Sequence, residues 1–300
     1  MRAPVISRRR GPTEFDIVPA EGGRLAAVRY HGLDLVLPRG RVPGFYGDTF
    51  WPSPQARFEW PPPPVLDAGP YAVVAESESG VTLRGEPDPD VGFQVDKQIE
   101  ISEHGLMIEF TLTNVWDRPQ QVAPWQVTRA PRDGLLVWAP GQPFTDADRM
   151  QKQDEDPGCW FLHADSTATF GGLESTATHA SIRVREVPRT SKYFTDARGW
   201  LAHVHHGTLF LRTFPDIAAD QAAPRQGELE LYFNVEKDYT ELENQGAYVT
   251  LGPGQSLTYP VQWHFRRVSP GLAAAGVTPE LLAEIDILRQ AHAQPGTGPG

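Results

Sequence analysis

Three hundred residues with 27 Lys and Arg against 38 Asp and Glu carry a formal charge of −11, and no basic stripe of the kind a phosphate-tracking nucleic-acid surface needs is present. The longest apolar stretches, such as Gly134 to Pro140, fall far short of the roughly 20 residues that cross a bilayer as a helix. The arginines of Met1 to Gly11 have no apolar run behind them, so no signal peptide is read, and the single cysteine, Cys159, cannot form an internal disulfide. A cytoplasmic protein is expected, with Cys159 an inert thiol.

The 29 prolines and 28 glycines are spread along the chain and divide it into short segments with little room for long helices, which predicts an all-β fold. Residues 1–13 read as an N-terminal arm. Beyond them Arg24 to Tyr30, Gln98 to Ser102, Leu106 to Leu112, Ser181 to Arg185 and Glu228 to Phe233 alternate at period two, the pattern of half-buried antiparallel strands. No linker of low complexity interrupts them, so residues 14–268 read as one sandwich domain.

Trp51 to Trp60, followed by Pro61 to Pro64, is the densest unusual stretch. Proline lacks the ladder donor, so this segment is expected to be a rigid extended loop rather than an interior strand. Trp51, Gln55 and Trp60 on such a loop suit a pocket wall; a lid that merely covers the sandwich end is the other reading. Further on, Trp125 and Gln126 again set an aromatic plate beside an amide, the pairing a saccharide site uses to stack a ring and satisfy its hydroxyls; taken alone Trp125 reads as a core anchor, and its recurrence with the other stretches favours the site.

Lys192 could hold a carboxylate or phosphate of a substrate or be an ordinary surface lysine. His203 and His205 share a strand face with ligand-like spacing, but no third ligand accompanies them, and ordinary strand histidines are the simpler account. Tyr239, Glu241 and Glu243 share one face of a late strand, where the two carboxylates either meet solvent or, on a concave face, act as a base and bind hydroxyls. Neither Gly-x-Gly-x-x-Gly nor Gly-x-Ser-x-Gly occurs in a fitting context, and no metal or organic cofactor is called for.

At the C-terminal end, Thr278-Pro279-Glu280 supplies a cap, a proline at the first helical position and an acid in the first turn, so a helix is predicted. Its Leu281, Leu282, Ile285 and Leu288 form a stripe that can pack on a sheet. Residues 269–293 therefore read as a helical extension, and 294–300 as a disordered tail.

Glu21 to Val28 with Gly32 to Leu37, Phe110 to Asn114 followed by Ala123-Pro124-Trp125, and Tyr239 to Glu243 leading to Leu251 to Ser256 and Val261 to Phe265 together resemble the galactose mutarotase-like (aldose 1-epimerase-like) superfamily from about Glu14 to Arg267. Trp-Pro-Ser-Pro-Gln, Trp-Pro-Pro-Pro and Ala-Pro-Trp-Gln resemble, more narrowly, its DUF4380 branch. The resemblance implies an antiparallel β-supersandwich with a saccharide cleft on its concave side. It also implies a catalytic pair in which a late-strand glutamate takes the anomeric proton and a histidine donates to the ring oxygen. Glu241 aligns with that base, Glu243 being the alternative. Where the pattern places its histidine, however, this chain has Trp125-Gln126, neither of which exchanges protons near neutral pH. His31, His203 and His205 are the candidates to replace it.

The leading expectation is thus a saccharide-binding protein, related to aldose epimerases, with Trp51, Gln55, Trp60, Trp125, Gln126, Lys192 and Glu243 binding substrate and Glu241 as base. The rival is a non-catalytic interaction module that docks a partner, or a second copy as a homodimer, through the proline/tryptophan loop and the C-terminal helix.

Overall fold

The period-two segments form strands, and their breakers form the turns between them. In the computed structural model, which describes residues 4–141, 150–152, 160–163 and 171–293, the chain runs through β1 (Ile6–Arg10), β2 (Thr13–Val18), β3 (Arg24–Tyr30), β4 (Leu33–Asp34), β5 (Asp48–Ser53), α1 (Gln55–Phe58) and α2 (Pro64–Asp67). There follow β6 (Tyr71–Glu76), β7 (Gly80–Gly85), β8 (Phe93–Ser102), β9 (Gly105–Asn114), β10 (Gln120–Pro131), β11 (Leu135–Trp138), β12 (Met150–Lys152), β13 (Trp160–His163), β14 (Leu173–Ser175) and β15 (Ala180–Arg183). The last elements are β16 (Ser191–Thr195), β17 (Trp200–His205), β18 (Thr208–Thr213), β19 (Leu229–Asn234), β20 (Tyr239–Gln245), β21 (Val249–Leu251), β22 (Ser256–Arg267) and α3 (Pro279–Ala293).

The strands make two sheets. One is ordered β1-β2-β3-β5-β10-β20-β19-β16-β13-β12, with β4 on β3 and β21 on β10; the other is ordered β14-β15-β11-β17-β18-β22-β9-β8-β7-β6. Pairing is antiparallel except between β13 and β16. Side chains that alternate toward the space between the sheets, among them Phe50, Phe110, Leu231, Leu242, Phe210 and Trp263, form the principal core.

Three expectations about the chain's organisation change. The residues read as an N-terminal arm include β1, which pairs with β2 from Ile6↔Ile17 to Arg10↔Thr13 and so extends the sheet. Trp51-Pro52-Ser53, expected in a loop, lies in β5 beside β10, with Pro52 opposite Pro124. Two prolines can face each other here because the Pro124 carbonyl accepts from Gly246, on the side away from β5. The missing N–H of Pro124 points the same way, so the β5–β10 ladder loses no donor at this position. The rest of the proline-rich stretch is not extended throughout, since Pro64 occupies the first position of α2, where a fixed φ and absent N–H suit a helix start. Cys159 and the 294–300 tail lie outside the described residues.

The helix α3 forms as its cap predicts, with the Leu281 N–H donating to Thr278 Oγ1 at 3.2 Å. Its Leu281, Ile285 and Leu288 are buried on Leu135, Trp200, Ala202, Leu209 and Leu211, on the outer face of the second sheet. Burying each of these three side chains is worth about 1.5–3 kcal/mol, which fixes the helix as a third layer. No described helix is long and apolar enough to cross a membrane.

Candidate functional site

Alternation along β10, β20, β19 and β16 sends one set of side chains away from the core, to the outer face of the first sheet. Trp125 and Arg129 come from β10, Glu241 and Glu243 from β20, Glu230 from β19 and Lys192 from β16. The register places Arg129 opposite Glu241, and Glu230 opposite Glu243. All six are buried, so the charges of the five ionisable ones must be satisfied within the cluster.

Lys192 Nζ sits 2.6 Å from Glu230 Oε2 and 2.8 Å from Glu243 Oε2. Glu243 Oε2 also accepts from the Trp125 indole at 2.8 Å. Glu230 Oε1 accepts from the Gly227 N–H at 3.0 Å and Gln245 Nε2 at 2.8 Å. Arg129 Nε donates to Glu241 Oε1 at 2.8 Å. Three buried polar atoms of the cluster have no hydrogen-bond partner: Glu243 Oε1, Arg129 Nη1 and Glu230 Oε2; the last meets Lys192 as an ion pair. Burial lifts the Glu243 carboxyl to about 8 against the pull of Lys192, with Glu230 and Glu241 adding to the rise. Burial also raises Glu230, with Lys192 opposing. Lys192 itself is penalised by burial, yet Glu230 and Glu243 hold it well above its ordinary value. One ammonium between two carboxylates is firmly retained but cannot neutralise both, so the group with a free oxygen keeps its proton most readily.

The indoles reach from this cluster to the surface. Trp125 packs edge-on to Trp51 with centroids 5.3 Å apart, and Trp51 packs edge-on to Trp60 at 5.9 Å. Trp51 and Trp125 are buried, while Trp60 is 39% exposed. Trp51 is held by Asp67 of α2, whose Oδ1 accepts from its indole at 2.7 Å and from Thr49 at 2.8 Å. Arg24 pairs with the same carboxylate at 2.9 Å. Close packing of α2 on the turn before β3 depends on Gly22, at φ +73°, where a Cβ would fall 1.8 Å from the Asp67 carbonyl oxygen.

Of the residues singled out in the sequence, Trp51, Trp125, Lys192, Glu241 and Glu243 come together on this face, and Trp60 lies at its edge. Gln55 is half-buried at the start of α1, where its backbone N–H donates to Gln226 at 3.4 Å. Gln126 does not join them. Adjacent residues of a strand point to opposite faces, and Gln126 faces inward, donating to Asp48 Oδ2 at 3.1 Å and accepting from Arg212 at 2.9 Å. Nor do the histidines replace the missing acid. His31 is exposed in a turn at φ 50°. His203 and His205 stack at 4.5 Å, and His203 Nε2 meets the Asp133 carbonyl at 2.6 Å. Burial depresses these two rings to about 4 and about 2. Among the described residues no group of three His, Cys, Asp or Glu is placed to hold a metal.

Sequence reasoning missed Glu230 and Arg129. The signal for Glu230 was there in the alternation Glu228-Leu229-Glu230-Leu231, whose polar side reads as solvated until a second buried charge is placed beside it.

The two-sheet architecture is a known one. The fold is that of galactose mutarotase-like proteins. A provisional aldose 1-epimerase of Escherichia coli K12 matches at a TM-score of 0.61 and 13% identity, over 88% of this chain and 99% of that one. A GalM/aldose epimerase homologue from C. elegans matches at 0.59 and 12%, over 89% and 100%. A galactose mutarotase-like protein from Lactobacillus casei matches at 0.58 and 13%, over 88% and 100%. Within that fold the chain belongs to the DUF4380 family, a domain of unknown function, whose model matches residues 52–266. No curated protein matches the chain.

Proposed function

We propose that the outer face of β10, β20, β19 and β16 is a saccharide site of aldose-epimerase type, in which Glu243 is the group that exchanges a proton with the sugar. The observation that carries this reading is the Glu243 carboxyl. It is buried beside an indole, one oxygen is unpartnered, and its proton is held to about 8. A group that changes protonation near neutral pH and still has an unpartnered oxygen suits general acid–base work on a hydroxyl. Glu241, aligned with the base by resemblance, is engaged by Arg129 and serves here as a charged acceptor for a sugar hydroxyl. Lys192 orients Glu243 rather than meeting an acidic substrate, since its ammonium is already shared by two carboxylates. The names of the E. coli, C. elegans and L. casei proteins point to the same chemistry.

The rival reading, a docking module, loses its helix face, because Leu281, Ile285 and Leu288 are covered by the chain's own sheet. The test is a panel of saccharides followed by ligand-detected NMR, with anomer exchange measured in the same samples for the wild type and Glu243→Gln. Saturable binding with faster exchange, lost in the variant while binding persists, is expected. Exchange that survives Glu243→Gln overturns the role of Glu243, and absence of binding across the panel overturns the site.

A further inference from the structure

We propose that Glu230 is a positioning residue for Glu243, acting through the ammonium of Lys192 that the two carboxylates share. Its catalytic meaning rests on the saccharide site proposed above, whereas the coupling itself is a property of three side chains and is measurable without a ligand.

Geometry distinguishes the two carboxylates. Glu230 is engaged at both oxygens: Oε1 accepts from the Gly227 N–H and Gln245 Nε2, and Oε2, without a hydrogen-bond donor, is ion-paired with Lys192. Gln245 is itself fixed, its Oε1 accepting from Ser53 Oγ at 2.5 Å. Glu243 is held at one oxygen only, where Trp125 and Lys192 converge on Oε2. Donors stabilise the ionised form, so Glu230 keeps its charge and the proton resides on Glu243, at the free Oε1. Lys192 is shared between the two, in ion-pair contact with Glu230 at 2.6 Å and donating to Glu243 at 2.8 Å. Its ammonium also lies 5.0 Å from the Trp125 ring centroid and 5.3 Å from that of Phe194, which confines it.

Among the described residues, the other charges around Glu243 are engaged as follows. On its own strand Glu241 is paired with Arg129 of β10. From behind the sheet Arg212 of β18 is engaged by Gln126, Asn244 and the Leu242 carbonyl. The Asp67 charge of α2 is taken up by Arg24, Thr49 and Trp51. Glu230 and Lys192 are therefore the pair whose removal changes the proton affinity of Glu243 in opposite directions. Without the Glu230 charge, Lys192 serves Glu243 alone and the proton leaves at lower pH. Without Lys192, two carboxylates face each other with no cation and the proton is held to higher pH.

The experiment is a carbon-detected NMR titration of side-chain carboxyls on the full chain without sugar, the Glu243 signal being assigned by its loss in Glu243→Gln. In Glu230→Gln the Glu243 midpoint is expected to fall by about one pH unit or more, and in Lys192→Met to rise by a similar amount, the scale set by a charge within about 4–6 Å. A merely structural role for Glu230 predicts no such opposed pair of shifts. A Glu243 midpoint in Glu230→Gln within a few tenths of a unit of the wild type overturns the proposal. Should that variant fail to fold, Glu230→Asp, which withdraws the carboxylate from Lys192 while keeping its charge, is expected to shift the midpoint in the same direction by less, and an unchanged midpoint there overturns it equally. Opposed shifts in a protein that binds no saccharide would leave this coupling standing and remove the saccharide reading; saccharide exchange with an unmoved midpoint would do the reverse.

Discussion

The strand pair β10 and β20 is polar and buried on both faces, and the two faces differ in what they leave unfinished. Inward, Gln126, Thr128 and Asn244 make a network of neutral groups around two charges. Asp48 accepts from Thr128 at 2.5 Å and from Gln126, and Arg212 reaches across from the second sheet to Gln126, Asn244 and the Leu242 carbonyl at 2.7 Å. Asn244 completes it by donating to the Tyr259 hydroxyl at 2.9 Å. Only Arg212 Nε lacks an acceptor there. Outward, the groups are mostly charged, and three atoms lack hydrogen-bond partners, Glu243 Oε1, Arg129 Nη1 and Glu230 Oε2. An unmade buried hydrogen bond costs about 1–3 kcal/mol. The outer face carries such costs on its acid–base groups, as the saccharide site proposed above requires, whereas the inner face, with one such atom, joins the two sheets.

Substitutions on the two faces should therefore fail in different ways. Glu243→Gln is expected to slow anomer exchange by about 10²–10⁴-fold, the usual contribution of a positioned acid or base, while circular dichroism and the urea midpoint stay near those of the wild type. Arg212→Met should do the opposite. It leaves Asp48 buried without its nearby cation and Asn244 and Gln126 short of a donor, a loss of about 3–5 kcal/mol in urea unfolding. If Arg212→Met were as stable as the wild type, the inner network would not be what joins the sheets at this point.

Much of this contrast was legible in the sequence as pattern, and much less of it as place. Period-two alternation in Arg24 to Tyr30 and Leu106 to Leu112 marks strands because only a pleated chain makes that pattern useful, and α3 follows from its cap and stripe. Glu241 and Glu243 were legible as face-sharing carboxylates. Gln126 was misplaced because neighbours in sequence are not neighbours in space on a strand, so the residue beside Trp125 is the one least able to share its face. Pro52 was misplaced because a missing donor matters only where the ladder needs one. Lys192 was visible as a cation, but its partners lie on strands 38 and 51 residues away along the chain. No local rule reports that kind of proximity.

Asp48 gives the inner face a pH signature. Burial lifts its carboxyl from 3.8 to about 6, with Arg212, Thr128 and Gln126 resisting. A carboxyl whose proton is held more tightly in the folded state stabilises that state fully below its unfolded value, near pH 4, and loses the contribution as pH rises through about 6. The scale is about 3 kcal/mol. Urea stability of the wild type minus that of Asp48→Asn, measured from pH 4 to 7, is expected to fall across this window. A flat difference would mean that Asp48 is charged throughout and that Arg212 compensates it fully.

The smallest effect should come from the indole of the outer cluster, which bears no charge. Trp125→Phe keeps the ring beneath Lys192, 5.0 Å from its ammonium in the wild type, and removes only the N–H that donates to Glu243 Oε2 at 2.8 Å. Losing that donor costs about 1.5–3 kcal/mol where the carboxyl is ionised, the range of a hydrogen bond to a charged group. It should raise the Glu243 midpoint by less than Lys192→Met does, because a dipole is exchanged rather than a full charge. The same NMR titration reads both. A Trp125→Phe shift equal to that of Lys192→Met would mean that the indole, not the ammonium, sets the proton affinity of Glu243. The outer face would then be tuned by neutral groups, as the inner one is.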